Sequence, residues 1–261
     1  TADFVLERMR DEKGQLLRTF KAGVAKLPAT LDDHAFFAEG LFYLAHATRE
    51  LRYFDEMRRI MEALLAGFYD AEKRLFYLGP DESAGVRLCT RPVSLHDSAI
   101  PSGLSVACLN LLRIAALADV NDPARERYQS IAEKTLLGLA EQALKNPFGL
   151  SNLVAALDLL QNGLVVAVIV DPALSQNGAL SVSGKALLAA TAVRYVPDLF
   201  TIVCHPDRPL PGSLDHLRIG KSARSGQGQG NSTATAYVCR GQRCTPPITD
   251  ESELIARLLA D

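Results

Sequence analysis

The chain is short of several features that would assign it to a class at once. Its 261 residues contain no tryptophan and no Cys-x-x-Cys motif, and its five cysteines are widely scattered. Secreted domains held together by disulfides instead have an even number of closely spaced cysteines, so we expect this protein to reside in a reducing compartment. The longest apolar run, Gly163 to Val170, is far shorter than the ~20 residues of a membrane helix.

The chain also lacks a large excess of charge of either sign. A formal net charge of −2 and the lack of a sustained basic stripe argue against nucleic acid or a membrane surface as a partner. Hydrophobic residues make up 48% of the chain and charged residues 22%, which suits a globular protein with one large core, or one core and a small satellite. Because the chain begins with Thr1 and not Met, we expect an upstream segment, and any targeting signal within it, to be missing.

Hydrophobic periodicity predicts a mainly α-helical part over residues 1–162. A helix end, a charged turn and a short strand occur near the start of the chain and again after residue 68. This repeat of roughly sixty residues is typical of stacked or toroidal helical hairpins. The predicted helices cover 32–49, 52–68, 98–117, 123–145 and 148–160.

The pattern changes at residue 163, where we predict a small α/β unit that extends to residue 261. A continuous β-branched strand over 164–170, a helix over 183–194 and a strand over 199–204 form one strand, helix, strand unit. Gly, Ser, Pro and Gln dominate 206–233, which predicts a flexible exposed loop, most mobile at 222–232. A hairpin around 240–243 and a helix over 250–259 complete the prediction.

Three motifs carry a family resemblance. They are Leu-Asp-Asp-His-Ala-Phe-Phe-Ala-Glu-Gly-Leu at 31–41, His-Asp-Ser-Ala-Ile-Pro-Ser-Gly at 96–103, and Thr-Ala-Tyr-Val-Cys-Arg-Gly-Gln-Arg-Cys-Thr-Pro-Pro-Ile-Thr-Asp at 235–250. In this order they resemble the spermatogenesis-associated thioredoxin-like proteins. The resemblance covers essentially the whole chain but only the C-terminal part of that family's architecture.

This resemblance implies a fold and a missing partner. The expected fold is an α/α toroid similar to six-hairpin glycosidases and to sugar epimerases of the acylglucosamine type. Over 1–162 we expect only half of such a toroid. The thioredoxin-like domain of the family is absent from this chain, so we expect it as a partner domain.

Two polar clusters precede predicted helices and are the candidate catalytic residues. Asp32, Asp33 and His34 open one helix, and His96 and Asp97 precede another. In a helical toroid the starts of inner helices face the central cavity, where acids and imidazoles can transfer protons at a sugar carbon or leaving group. The alternative is that these side chains only cap their helices.

Glu39, Ser98 and Ser102 are the candidate substrate-binding residues. Glu39 lies seven residues after Asp32 on the same helix face and would supply a second carboxylate, unless it is merely solvated or ion-paired. No Gly-x-Ser-x-Gly elbow is present, so neither serine is predicted to be an acyl-transfer nucleophile. We predict a small carbohydrate as ligand, with no cofactor and no metal.

Cys239 and Cys244 flank a four-residue turn. If that turn joins two strands, the cysteines can face each other and form a disulfide. Their alternative roles are a redox pair on the one hand, and packing thiols or a passive bridge on the other. The sequence thus leaves three functional hypotheses: acid/base chemistry on a carbohydrate, a non-enzymatic redox-associated scaffold that binds a protein, or a module that stabilises the absent domain.

Overall fold

The computed structural model describes residues 1–80, 90–210, 212–225, 232–241 and 243–260. Over these residues the protein is mainly α-helical, as predicted, with eight α-helices and ten mostly short strands. The chain divides into two compact units. One contains 1–45, 52–115 and 120–162, and the other contains 46–51, 116–119 and 163–261.

The first unit is built from helices and two small hairpins. Each predicted helix is present, with its ends shifted by a few residues. The helices are α1 (Ala2–Arg8), α2 (Leu31–Thr48), α3 (Arg52–Phe68), α4 (Gly103–Leu117), α5 (Pro123–Lys145) and α6 (Ser151–Asn162), and the hairpins pair β1 (Leu17–Lys21) with β2 (Val24–Pro28) and β3 (Tyr69–Asp70) with β4 (Leu75–Phe76).

Helix α4 is the central helix of this unit. Nearly every residue from Ser102 to Leu117 is buried, as expected of a largely apolar helix in a core. It begins five residues later than predicted because the backbone N–H groups before Gly103 donate hydrogen bonds that do not belong to a helix. Ser98 donates to the Ile100 carbonyl at 3.0 Å, and the Ser102 N–H donates to the Asp97 carboxylate at 2.8 Å.

The second unit contains a four-stranded mixed sheet. Its strands run in the order β10, β9, β5, β6, with β5 parallel to β6 and β9 antiparallel to both of its neighbours. The elements are β5 (Val165–Val170), α7 (Val182–Ala190), β6 (Leu199–Cys204), β7 (Arg224–Ser225), β8 (Ser232–Thr233), β9 (Thr235–Arg240), β10 (Arg243–Cys244) and α8 (Glu251–Leu259).

The predicted strand, helix, strand unit is β5, α7 and β6. All six residues of β5 are buried, as expected of a central strand with a continuous β-branched sequence. The predicted loop at 206–233 contains a short 3₁₀ helix, Gly212–Leu217, and the paired strands β7 and β8. Most of its predicted mobile part, at 226–231, lies outside the described residues. None of the helices in the described ranges is both long and apolar enough to cross a bilayer.

Candidate functional site

The two predicted polar clusters meet at the N-terminus of α4. Asp97 Oδ1 accepts the Ser102 N–H at 2.8 Å. Asp32, from the first turn of α2, packs against the next residue, Gly103. Two carboxylates that are distant in sequence therefore contact consecutive residues at the start of the central helix.

Asp32 is the unusual carboxylate of this pair. Its side chain is half-buried, and its buried Oδ1 accepts no hydrogen bond of full geometry among the described residues, although the Gly103 N–H lies close enough to act on the carboxylate. Burial raises the pKa of Asp32, and the nearby Asp33 charge acts in the same direction, whereas the Gly103 N–H and Arg18 lower it in part. Asp32 thus keeps its proton to a higher pH than an exposed aspartate, which is what a general acid requires.

Gly103 makes this contact sterically feasible. A methyl group added at Gly103 would overlap Oδ1 of Asp32 and lie 3.0 Å from the Asp32 Cα. The predicted helix over 98–117 assigns no packing role to Gly103, so that role is a finding of the structure. One sequence feature could have indicated this role: a glycine directly follows the serine cap, although the backbone at this helix start is not left-handed and so does not need a glycine for its conformation.

Asp97 links the starts of two helices. Besides the Ser102 N–H, its carboxylate accepts the Asn152 N–H at 2.8 Å and the Ser151 hydroxyl at 3.3 Å, and its own N–H donates to the Gly149 carbonyl at 2.9 Å. The carboxylate therefore fixes the N-terminus of α6 to that of α4. No sequence pattern indicated that Ser151 and Asn152 belong to the site.

The remaining residues of the second cluster differ in exposure. His96 and Ser98 are exposed. Ser102 is buried, and its hydroxyl accepts the Ser105 N–H at 3.2 Å and lies 2.7 Å from the Ser105 hydroxyl. Ser102 is thus the cap of α4, and only His96 and Ser98 present their side chains to solvent.

Asp33 and His34 make local contacts at the start of α2. Asp33 Oδ2 accepts the Thr30 N–H at 2.7 Å and the Thr30 hydroxyl at 2.8 Å. His34 is 1% exposed; its Nδ1–H donates to the Thr30 carbonyl at 2.8 Å and its Nε2 accepts the Leu16 N–H at 3.1 Å. Burial lowers the pKa of His34. Both side chains organise the helix start, and catalysis by either one stays a prediction.

Glu39 forms an ion pair within the first unit. Arg113 on α4, whose side chain is 4% exposed, donates to Glu39 Oε1 at 2.9 Å and to the Tyr43 hydroxyl at 3.1 Å. The guanidinium also stacks 4.8 Å from the centre of the Phe42 ring. These contacts are those of a buried arginine with its counterion, and a substrate contact for Glu39 stays a prediction.

Cys239 and Cys244 form a disulfide across the hairpin of β9 and β10. Cys239 is buried and Cys244 is exposed. The cross-strand arrangement considered from the sequence is therefore present, while a redox role stays a prediction. Within the described ranges, no group of three or more His, Cys, Asp or Glu side chains is arranged to hold a metal ion.

Comparison with known proteins identifies relatives of this chain. The chain is 28% identical over 224 residues to spermatogenesis-associated protein 20 of Homo sapiens, covering 86% of this chain and 26% of that protein. It is 28% identical to the proteins of the same name from Rattus norvegicus and Mus musculus, covering 97% of this chain and 31% of each. The chain is a relative of spermatogenesis-associated protein 20. The predicted family resemblance is thereby confirmed.

The chain spans less than a third of the length of these relatives. No family model matches it. The names of the relatives give a family and no chemistry, so the activity has to be argued from the residues themselves.

Proposed function

We propose that the first unit is part of an α/α toroid of the six-hairpin glycosidase type, and that it binds a small carbohydrate and transfers protons at the sugar. The observation that carries this proposal is the position of Asp32. Its buried oxygen lacks a hydrogen-bond partner of full geometry among the described residues, burial raises the pKa of the carboxyl group, and Asp32 packs against Gly103, the first residue of the central helix α4.

Asp32 is the proton donor in this proposal, and exposed His96 is the second proton-transfer group. Imidazole is the side chain most often used for proton transfer in enzymes. Asp97 is a positioning residue, because its oxygens already accept hydrogen bonds from the starts of α4 and α6. Ser98 offers an exposed hydroxyl to a sugar.

Two reactions fit such a pair of groups. In epimerisation, a base removes the proton from a carbon beside a carbonyl and an acid returns a proton on the opposite face. In glycoside cleavage, an acid protonates the leaving oxygen while a base takes a proton from the water that attacks the anomeric carbon. The two reactions need the same donor and differ in whether a carbon–hydrogen bond or a carbon–oxygen bond breaks.

Sugar binding is the first test. Thermal-shift titrations of the chain with mono- and disaccharides should show saturable stabilisation by at least one sugar. Asp32→Asn and His96→Ala should each abolish it. The matched control is Asp158→Asn, because Asp158 is exposed on α6 and bonds only to Asn162 among the contacts of the described residues. An unchanged titration in Asp32→Asn would contradict the proposed site.

The reaction class is tested in heavy water. Epimerase activity replaces a carbon-bound proton of the sugar by deuterium, which is visible as loss of one proton NMR signal. Hydrolase activity instead releases a new reducing end with no deuterium on carbon. If neither change appears with any sugar that binds, the first unit is a carbohydrate-binding module and the catalytic proposal is wrong.

A second candidate function is a redox-associated scaffold that binds a protein. The disulfide between Cys239 and Cys244 supports it, because Cys244 is exposed and accessible to a reductant. Removing a bridge that closes a short loop costs up to about 2–3 kcal/mol. If this function holds, reductant lowers the melting temperature of the chain and Cys244→Ser removes that dependence. A melting temperature that reductant does not change would rule it out.

A further inference from the structure

The second unit contains a cavity of about 350 Å³ at the carboxyl end of β6. Residues 202–204 of β6 form one wall, and the loops that follow β5 and β6 form others, together with Arg49 and Leu51. In open α/β sheets, ligands bind outside the carboxyl ends of the parallel strands. The volume lies at the small end of the range of small-molecule sites. Both topology and size therefore indicate a binding site.

The charged side chains that line this cavity are all basic. Arg49, His205 and Arg208 line it, and no aspartate or glutamate is among its described lining residues. In the ranges that the structure covers, neither arginine forms an ion pair. His205 Nδ1 accepts the Asp207 N–H at 3.1 Å, so the neutral ring carries its proton on Nε2 as a donor. The lining thus provides positive charge and N–H donors without a counterion of its own.

The other lining residues complete a site for a partly apolar anion. The Arg208 guanidinium donates to the Leu174 carbonyl, which orients it and leaves further N–H groups for a ligand. Leu51, Leu174 and Leu210 supply apolar walls. Burial raises the pKa of Cys204 to about 11, so this thiol is neutral at physiological pH and does not repel an anion.

We propose that this cavity binds a small phosphate monoester. Arg49, Arg208 and the His205 ring hold the oxyanion, and the apolar walls hold the organic part. Guanidinium groups match the geometry of phosphate oxygens, and two of them balance the charge of the monoester. The site belongs to the second unit and is independent of the carbohydrate proposal for the first unit.

The test is an NMR titration of the full chain with inorganic phosphate and then with glycerol phosphate, at an ionic strength held constant with chloride. The imidazole signals of His205 should move to saturation. Arg49→Gln and Arg208→Gln should each weaken binding about tenfold or more, as expected when a charge-assisted hydrogen bond is lost. Arg243→Gln, which changes an exposed arginine of β10, should leave the affinity unchanged.

Three results would overturn the proposal: no saturation at millimolar phosphate, equal binding of acetate, or an equal loss in Arg243→Gln. Arg49 is exposed, so Arg49→Gln tests the site even if Arg208→Gln fails to fold. Asp32→Asn should bind phosphate with unchanged affinity, which separates this site from the one proposed for sugars.

Discussion

In each unit, an aspartate among the described residues packs against a glycine that lies in the first turn of a helix. The two aspartates differ in how many hydrogen bonds their carboxylate oxygens accept. In the second unit, Asp171 is fully buried and accepts the Ala173 N–H at 3.0 Å and the Ser181 N–H at 2.8 Å. It packs against Gly184 of α7. In the first unit, Asp32 packs against Gly103 of α4 with one buried oxygen that accepts no hydrogen bond of full geometry among the described residues.

The difference separates a carboxylate whose oxygens are both hydrogen-bonded from one whose burial is only partly compensated. A buried carboxylate whose oxygens are both hydrogen-bonded stabilises the loop that supplies the donors. A buried carboxylate with an oxygen that lacks a hydrogen-bond donor destabilises the folded protein when it is charged. Groups of this kind are found most often at functional sites. Asp171 is of the first kind, and Asp32 is of the second.

The largest expected effect comes from removing the Asp171 carboxylate. Asp171→Ala leaves the Ala173 and Ser181 N–H groups without their acceptor and should lower the free energy of unfolding by about 2–4 kcal/mol. Asp32→Ala removes a group with an unsatisfied oxygen and should cost less than about 1 kcal/mol. Urea denaturation of both variants, with Asp158→Ala as a surface control, measures the difference. Equal costs at Asp32 and Asp171 would erase the distinction.

The glycines should matter equally in both units. A methyl group at Gly103 would overlap Asp32, and one at Gly184 would overlap Asp171 and lie 3.0 Å from Leu180 Cδ2. Each Gly→Ala change should destabilise its unit by about 1–3 kcal/mol through overpacking. The control is Gly138→Ala in α5, where a methyl group meets nothing within 4 Å; this change should stabilise the helix by about 0.5–1 kcal/mol. If Gly103→Ala changes the melting temperature no more than the control Gly138→Ala does, or raises it, the close packing of Asp32 against Gly103 is refuted.

A smaller effect is expected at the two serine caps. Ser102 accepts the Ser105 N–H at 3.2 Å, and Ser181 accepts the Gly184 N–H at 2.9 Å. Replacing either serine by alanine should cost about 1 kcal/mol, the usual value of such a cap. A cost at Ser102 well above that at Ser181 in the same denaturation assay would show that the Ser102 hydroxyl also holds the site together.

The smallest effect is the pH dependence of stability that the raised pKa of Asp32 should produce. Because burial raises its pKa, the folded protein holds this proton at a pH where the unfolded chain has released it. The free energy of unfolding therefore falls as the pH rises from about 3.8, the ordinary value, through the folded pKa. Asp32→Asn cannot titrate, so its stability relative to the unchanged chain should increase over this window and then level off. A difference that is constant with pH would contradict the raised pKa.

Much of the fold was predictable because it depends on local pattern. Helix α3 buries residues at helical spacing, and β5 is continuously β-branched, so both were identified from periodicity. The start of α4 was misplaced by five residues because side-chain contacts of Asp97 decide it. The position of β9 beside β5 was not predicted, since strand pairing over long sequence separation leaves no local signal.

The candidate site was predictable only in part. Polar residues before a helix indicated Asp32 and Asp97, but cap and catalyst have the same sequence signature. The contacts distinguish the two aspartates: Asp33 accepts hydrogen bonds from Thr30, whereas Asp32 retains a buried oxygen without a hydrogen-bond partner of full geometry among the described residues. The cavity beside Arg49 and Arg208 combines residues that no sequence motif connects.

The most direct test is the pKa of the Asp32 carboxyl group, measured by carbon-13 NMR titration of the side chain with Asp32→Asn used to assign the signal. We expect a midpoint clearly above the ordinary value of 3.8. A midpoint at or below that value would mean that Asp32 is a stabilised, permanently charged carboxylate, and the proposal that it donates a proton to a sugar would be wrong.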